Sequence, residues 1–212
     1  FTAPPEATLE WNDSAVEGSA RFLRRVWAYG HTHQQAITQG LTANQTPLPA
    51  AAQTLRRELH TVLRQATYDY ERMQYNTVVS AVMKMLNALE GAAACHPGAQ
   101  AEGFGLLLRV LYPACPHITE ALWQALGYAT PYGPLLDAPW PQVDEAALQQ
   151  DEIELVLQIN GKLRGSLTVA AQADTQTIEA AALASDVLAR YAAGATPRKV
   201  VVVPGRLVNV VV

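Results

Sequence analysis

Cysteine is scarce in this chain. There are two in 212 residues, Cys95 and Cys115. Two thiols in a chain this long make no disulfide framework, so a reducing compartment, the cytoplasm, is expected. Long apolar runs are lacking too: none reaches the roughly 18 residues that a membrane-crossing helix needs, and no signal peptide is recognisable. A Gly-rich phosphate loop and a nucleophile elbow are both absent, so those catalytic constellations are excluded. Cys95-His96 and Cys115-Pro-His117 lack the CxxC-type spacing of a zinc site and read as loop and helix-cap residues, so no metal is expected. His31-Thr-His33 reads as a helix end, where a histidine can meet the last carbonyls. An initiator methionine is missing as well. The chain opens FTAPPEATLEW, as expected of a fragment whose N-terminal part is gone.

What is present is an apolar half and a small acidic excess, −4 overall. That suits one or two domains with real cores. Residues 1–150 carry nine Lys/Arg against thirteen Asp/Glu, and residues 151–212 carry six of each. Neither part is a general polycation, so a nucleic acid could be met only by local patches.

The apolar spacing divides the chain. Ser14-Ala-Val-Glu17 fits a capping box, and Val16, Ala20, Leu23 and Trp27 follow at helical steps, predicting a helix from about Ser14 to Tyr29 that Gly30 ends. Residues 31–49, polar and holding Gly40, Pro47 and Pro49, read as a loop. A second helix is predicted over about Ala50–Gln74, with Leu55, Leu59, Val62, Ala66, Tyr70 and Met73 on its stripe. A third follows, capped by Asn76. A fourth spans about Ala101–Tyr112, and a short one Ile118–Leu126. Together they predict an α-helical bundle. GYATPYGPLLDAPWPQVD, with four prolines and two glycines, reads as a linker or a surface strap.

Past Asp151 the period becomes two. IELVLQI reads as a strand, Asn160-Gly161 as a type I′ turn and LRGSLTV as the return strand. A helix capped at Asp174 or Thr175 is predicted to run to about Ala193 and end at Gly194. VVVV, Pro-Gly and LVNVVV make a second hairpin whose apolar strands should be central or well covered. The order is β-β-α-β-β, a small α+β domain.

Two sets of cations could meet phosphates. Arg21, Arg24 and Arg25 share a flank of the first helix, and Arg57, His60 and Arg64 repeat that spacing on the second, away from its apolar stripe. Such a face either straddles phosphates through guanidinium forks or is solvated and paired with Glu17, Glu58 or Glu71, and the solvated reading carries more weight. Lys162, Arg164, Arg198, Lys199 and Arg206 sit at hairpin ends. Lys162 and Arg164, two apart, are expected on one face, with Gly161 and Gly165 letting another backbone approach. The residue types favour a ligand with phosphates and a soluble rim about equally.

In order along the chain, YNTVVSAVMKMLNAL, LYPACPHITEALWQALG, PWPQVDEAAL and LQINGKLRG resemble the C-terminal part of the bacterial leucyl-tRNA synthetases, which are class I aminoacyl-tRNA synthetases. The opening TLEWNDSAVEGSARFLRRVW resembles the same enzymes just after their catalytic domain. PHITEALW alone would also fit the isoleucyl, valyl and methionyl enzymes, whereas the NGK-RG hairpin in a terminal β-β-α-β-β module points to the leucyl ones. The resemblance implies a connection from the catalytic part over residues 1–13 and a helical tRNA-binding bundle of the anticodon-binding type over 14–126. It implies a Pro/Gly-rich linker over 127–150 and a small domain that docks on the tRNA corner over 151–212. The parent would be a leucine–tRNA ligase that attaches leucine to tRNA(Leu) with ATP and magnesium. The partners would be tRNA(Leu) and the missing N-terminal catalytic and editing domains of the same chain. Leucyl members generally do not read the anticodon bases, so the bundle would support the tRNA body. Signatures of the HIGH and KMSKS type and the editing insertion are absent, so neither catalysis nor a cofactor is expected in the fragment itself. The tRNA-binding candidates are the ten Lys and Arg residues of the two sets. A sibling synthetase with the same bundle, or a protein-docking module, remains the alternative.

Overall fold

A computed structural model describes residues 3–42, 48–92, 96–149, 152–191 and 197–212. Pro47, Cys95 and Gly194, each given a part above, lie outside them. The chain forms two compact units, Phe1–Leu148 and Gln149–Val212.

The first unit is helical: α1 (Asp13–Thr32), α2 (Gln34–Thr42), α3 (Ala50–Glu71), α4 (Tyr75–Gly91), α5 (Pro97–Leu111), α6 (Pro116–Ala125) and the single turn α7 (Ala129–Tyr132). α5 is apolar apart from Gln100, Glu102 and Arg109, and α2, α3, α4 and α6 pack against it. Such a composition belongs to a helix buried over most of its surface. Phe104, Leu107 and Leu108 on α5 are fully buried among Leu59 and Leu63 of α3, Met85 and Leu86 of α4, and Trp123 of α6.

Several expectations change in tertiary context. The cap of α1 is Asn12, whose Oδ1 accepts from the backbone N–H of Ser14 and Ala15 at 3.0 and 3.3 Å, in place of the Ser14–Glu17 box. Gly30 does not end the helix; it is buried inside it. The expected loop over 31–49 contains α2. Its helical state rests on packing, because Ile37 is fully buried and Gly40 lies against the start of α5. The α3 stripe runs through Leu55, Leu59, Leu63 and Ala66, and Met73, beyond the helix at φ 57°, is exposed. α4 begins at Tyr75 after Gln74, and Asn76 lies inside it.

The stretch over 127–150 lies on the bundle through much of its length. Tyr128 is buried, stacked on Trp123 at 4.7 Å, and its hydroxyl donates to the Ala101 carbonyl at 2.6 Å. Leu135 is buried, and Trp140 meets the Tyr70 ring edge-on while its Nε1 donates to Thr67 Oγ1 at 3.0 Å. Its prolines prevent any regular element longer than the turn α7 but leave its aromatic residues free to dock.

The second unit contains β1 (Glu152–Ile159), β2 (Lys162–Ala170), α8 (Thr175–Leu183), α9 (Asp186–Tyr191), β3 (Lys199–Val203) and β4 (Leu207–Val211). The sheet order is β2-β1-β4-β3; β1 and β4 are parallel and the other neighbours antiparallel. The single helix expected after Asp174 is divided at Ser185, whose Oγ accepts from the Leu188 N–H and donates to the Ala182 carbonyl. Alternation brings Leu155, Leu157, Ile159, Val208 and Val210 to the buried face with Ile178, Ala182 and Leu188 of the helices. β4 is central as expected. β3 is not: it is an edge strand with Val201 and Val203 each 38% exposed, because α8 and α9 both lie on the opposite face.

Candidate nucleic-acid interface

The β1–β2 turn sets the geometry of the small unit. Asn160 and Gly161 have φ of 49° and 74°, as a two-residue turn of this kind requires. Both are tied to the C-terminal strand. Asn160 Oδ1 accepts from the Val212 N–H at 3.1 Å, and the Gly161 N–H donates to Asn209 Oδ1 at 3.0 Å.

The strand directions then sort the basic residues. β1 and β4 end where β2 and β3 begin, so Lys162, Arg164, Arg198 and Lys199 gather at one end of the sheet. Lys162 and Lys199 lie on its two edge strands, about 14 Å apart at three strand spacings. Arg206 lies in the β3–β4 turn at the other end, where its carbonyl accepts from the Val156 N–H. All five are exposed.

Lys162 and Arg164 do not follow simple alternation. Ile159 pairs with Lys162 and Gln158 with Leu163, yet Leu157 pairs with Gly165. Arg164 is thus the extra residue of a β-bulge, which re-aims its side chain. Its guanidinium carbon stands 4.6 Å from the centre of the Tyr191 ring. Gly165 admits α9 of the same unit, because a Cβ there would stand 3.1 Å from Val187 Cγ2.

On the helical unit the cations divide by their partners. Arg25 is taken by Glu90 and Asn87 of α4, and Arg64 by Glu145. Neither uses the expected Glu17, Glu58 or Glu71. Arg21 and Arg24, exposed on α1, and the half-buried Arg57 have no ion pair among the described residues. His60 was expected on an outward face and is instead buried. Its Nε2 lies 3.1 Å from Glu102 Oε1, and its Nδ1 accepts from the Asp144 N–H at 3.0 Å, so both ring nitrogens have partners.

Arg56, which was not singled out, joins that cluster. Its guanidinium binds Glu102 with both Nε and Nη2 and reaches Asp144 at 2.7 Å. The two acids raise it well above the ordinary arginine value. Burial pushes the Glu102 carboxyl up, but hydrogen bonds from His60 and Arg56 outweigh it and hold it below the usual carboxylate range. Arg56 likewise holds Asp144 down. The signal was present in the spacing: Arg56, His60 and Leu63 lie at i, i+4 and i+7, along the buried side of α3. Arg109 was also missed. Half-buried on α5, it donates to the Gly105 carbonyl and lies 5.8 Å from the centre of the Tyr132 ring, and burial lowers its pKa.

Among the described residues no group of three His, Cys, Asp or Glu side chains could hold a metal ion. Cys115 precedes α6, and burial raises its thiol. His96 caps α5, its Nδ1 accepting from the Gly98 N–H at 3.2 Å. His31 and His33 pack on the rings of Trp27 and Tyr29. No described helix is long and apolar enough to cross a membrane.

Residues 52–179 match the family model described as the anticodon-binding domain of tRNA ligase. The chain belongs to this family. Within it, the chain is 64% identical over 211 residues to the leucine–tRNA ligase of Cupriavidus metallidurans and 58% identical over 212 residues to that of Burkholderia multivorans. All of the chain is covered in both cases, and it spans about a quarter, 24%, of those relatives' length, in their C-terminal part. Among solved structures it is similar to the LeuRS of Agrobacterium radiobacter, crystallised in a ternary complex with tRNA and LeuAMS. The TM-score is 0.77 at 26% identity, covering 100% of this chain and 28% of that one. The matched stretch runs from α3 through α7 and on into β1, β2 and the first turn of α8.

Proposed function

We propose that this chain is the tRNA-holding part of a leucine–tRNA ligase, whose whole joins leucine to tRNA(Leu) with ATP and magnesium in the cytoplasm. The likeness to leucine–tRNA ligases along the entire chain carries this reading. The helical bundle supports the tRNA body, and the basic end of the sheet anchors the corner through backbone phosphates without reading bases. Lys162, Arg164, Arg198 and Lys199 are the favoured anchors, since they lie at one end of the sheet and no described carboxylate neutralises them. Arg21, Arg24 and Arg57 are next, and Arg206 stands apart. Arg25 and Arg64 reach tRNA only by giving up their acids. The remaining partners are the catalytic and editing parts of the same protein.

Binding of tRNA(Leu) to the chain, measured over a range of salt, tests the proposal. Affinity is expected to fall steeply as salt rises. Lys162→Ala with Arg164→Ala is expected to cost on the order of 1 kcal/mol per lost charge-assisted contact and to flatten the salt slope by about one unit for each. Both side chains are exposed, so the melting temperature should hold. Absence of tRNA binding, or an unchanged slope in the double variant, would leave the basic end a solvated rim and favour a protein-docking module. In the parent enzyme the double change should slow charging and spare leucine activation.

The chain alone is expected to be catalytically silent and to need no cofactor. Leucine-dependent pyrophosphate exchange with ATP checks this; exchange above background contradicts it.

A further inference from the structure

Three local features converge on Arg164. The bulge removes it from pairing with β1. Gly165 leaves the space into which Val187 of α9 packs. α9 ends at Tyr191, whose ring the guanidinium overlies at 4.6 Å. Arg164 has no ion pair among the described residues, and its guanidinium donates no hydrogen bond to any of them. An aromatic ring attracts a guanidinium through its face and consumes none of its five donors. What the ring removes is freedom. A long arginine side chain that would otherwise sample many rotamers is held with its N–H edge open, and that planar edge matches two oxygens of one phosphate.

We infer that Tyr191 is a positioning residue for Arg164: its ring holds the guanidinium so that the N–H fork takes two oxygens of a single RNA phosphate. This rests on the tRNA-binding reading above and gives that surface a specific geometry. Arg164 is the touching residue and Tyr191 acts through it. A lysine at position 164 would keep the charge but lose the fork and most of the stacked face.

The experiment compares tRNA(Leu) binding at several salt concentrations for the unsubstituted chain, Arg164→Ala, Arg164→Lys, Tyr191→Phe, Tyr191→Leu and the Arg164→Ala/Tyr191→Leu pair, with a thermal melt of each. Arg164→Ala should weaken binding about tenfold. Arg164→Lys should recover only part of that loss. Tyr191→Leu should weaken binding about two- to fivefold with the salt slope kept, because the cation remains. Tyr191→Phe, which keeps the ring, should bind like the unsubstituted chain. In the Arg164→Ala background, Tyr191→Leu should have no further effect, an outcome that a purely structural role or a direct contact of Tyr191 with RNA would not produce. If Arg164→Ala weakens binding and Tyr191→Leu does not, the inference falls and the tRNA reading stands. An equal loss from Tyr191→Leu in both backgrounds also overturns it. Should Tyr191→Leu fail to fold, Arg164→Lys carries the test: a lysine that binds as tightly as the arginine overturns it. If the unsubstituted chain does not bind tRNA, both readings fall together.

Discussion

Gly40→Ala is expected to destabilise the helical unit by about 3 kcal/mol, and Gly40→Val to unfold it. A Cβ at Gly40 would stand 2.2 Å from the carbonyl oxygen of Pro97, 2.5 Å from its carbon and 2.8 Å from Ala101 Cβ. Two of these neighbours are backbone at the first residue of α5, so no side chain can rotate away. The only relief is for α2 to move off α5. That would expose Ile37, now fully buried and worth roughly 1.5–3 kcal/mol of transfer free energy. Thermal unfolding checks the expectation. A loss of 3 kcal/mol should lower the melting temperature by about 6–12 °C for a unit of this size. Gly18→Ala is the contrast. Gly18 is also inside a helix, but a Cβ there meets no atom within 4 Å. That variant should gain about 0.5–1 kcal/mol from helix propensity. Equal losses in the two would show that helix backbone, not the α2–α5 approach, sets the cost.

Arg56→Ala should have the next largest effect, a loss of about 2–3 kcal/mol near neutral pH. This lies below the roughly 3–5 kcal/mol for removing one partner of a fully buried ion pair, since the Glu102 side chain is 31% exposed. Removing the guanidinium leaves the Glu102 carboxylate with His60 alone and frees the Asp144 carboxylate, so the strap loses one of its ties to α3 and keeps those to His60 and Arg64. The pH dependence has a defined sign. Glu102 and Asp144 both have folded-state pKa values below the usual carboxylate range. Their contribution is therefore complete above the unfolded values near 4 and is lost as pH falls through the lower folded values. Melting temperatures measured from about pH 7 to pH 2 should fall steeply below about pH 4 in the unsubstituted chain. In Arg56→Ala they should start lower and fall less. Parallel curves would mean that other carboxylates control the acid limb.

The elements with a strong local period were legible in the sequence. Alternation in IELVLQI with Asn160-Gly161 set β1, its turn and β2, and the stripe of Leu55, Leu59 and Ala66 set α3. The resemblance carried by LYPACPHITEALWQALG and LQINGKLRG points to the family by sequence alone. Those signals are local, because one turn of helix or one strand pair already decides which face is buried.

The caps and the break at Ser185 are local, but the larger misjudged features depend on residues far apart in the chain. α2 is polar and contains Gly40, so nothing in its own composition makes it helical; α5, some sixty residues on, does. His60 looked like a surface residue because imidazole is polar, but Glu102 and the Asp144 N–H satisfy both ring nitrogens, which permits burial. Glu90 and Glu145 neutralise Arg25 and Arg64 across sequence separations of 65 and 81. No spacing rule on a single helix could foresee that.

The sequence by itself determined the two classes of structure in this protein, the family, and the residue types available to meet a phosphate. Only the tertiary structure decided which cations remain unpaired, that Lys162, Arg164, Arg198 and Lys199 share one end of the sheet while Arg206 lies at the other, and that Arg164 leaves the β1 pairing to lie on Tyr191. The physical reason is range. Hydrophobic periodicity acts between neighbours three or four residues apart, whereas ion pairing, close helix approach and the gathering of strand ends depend on which distant segments the core brings together.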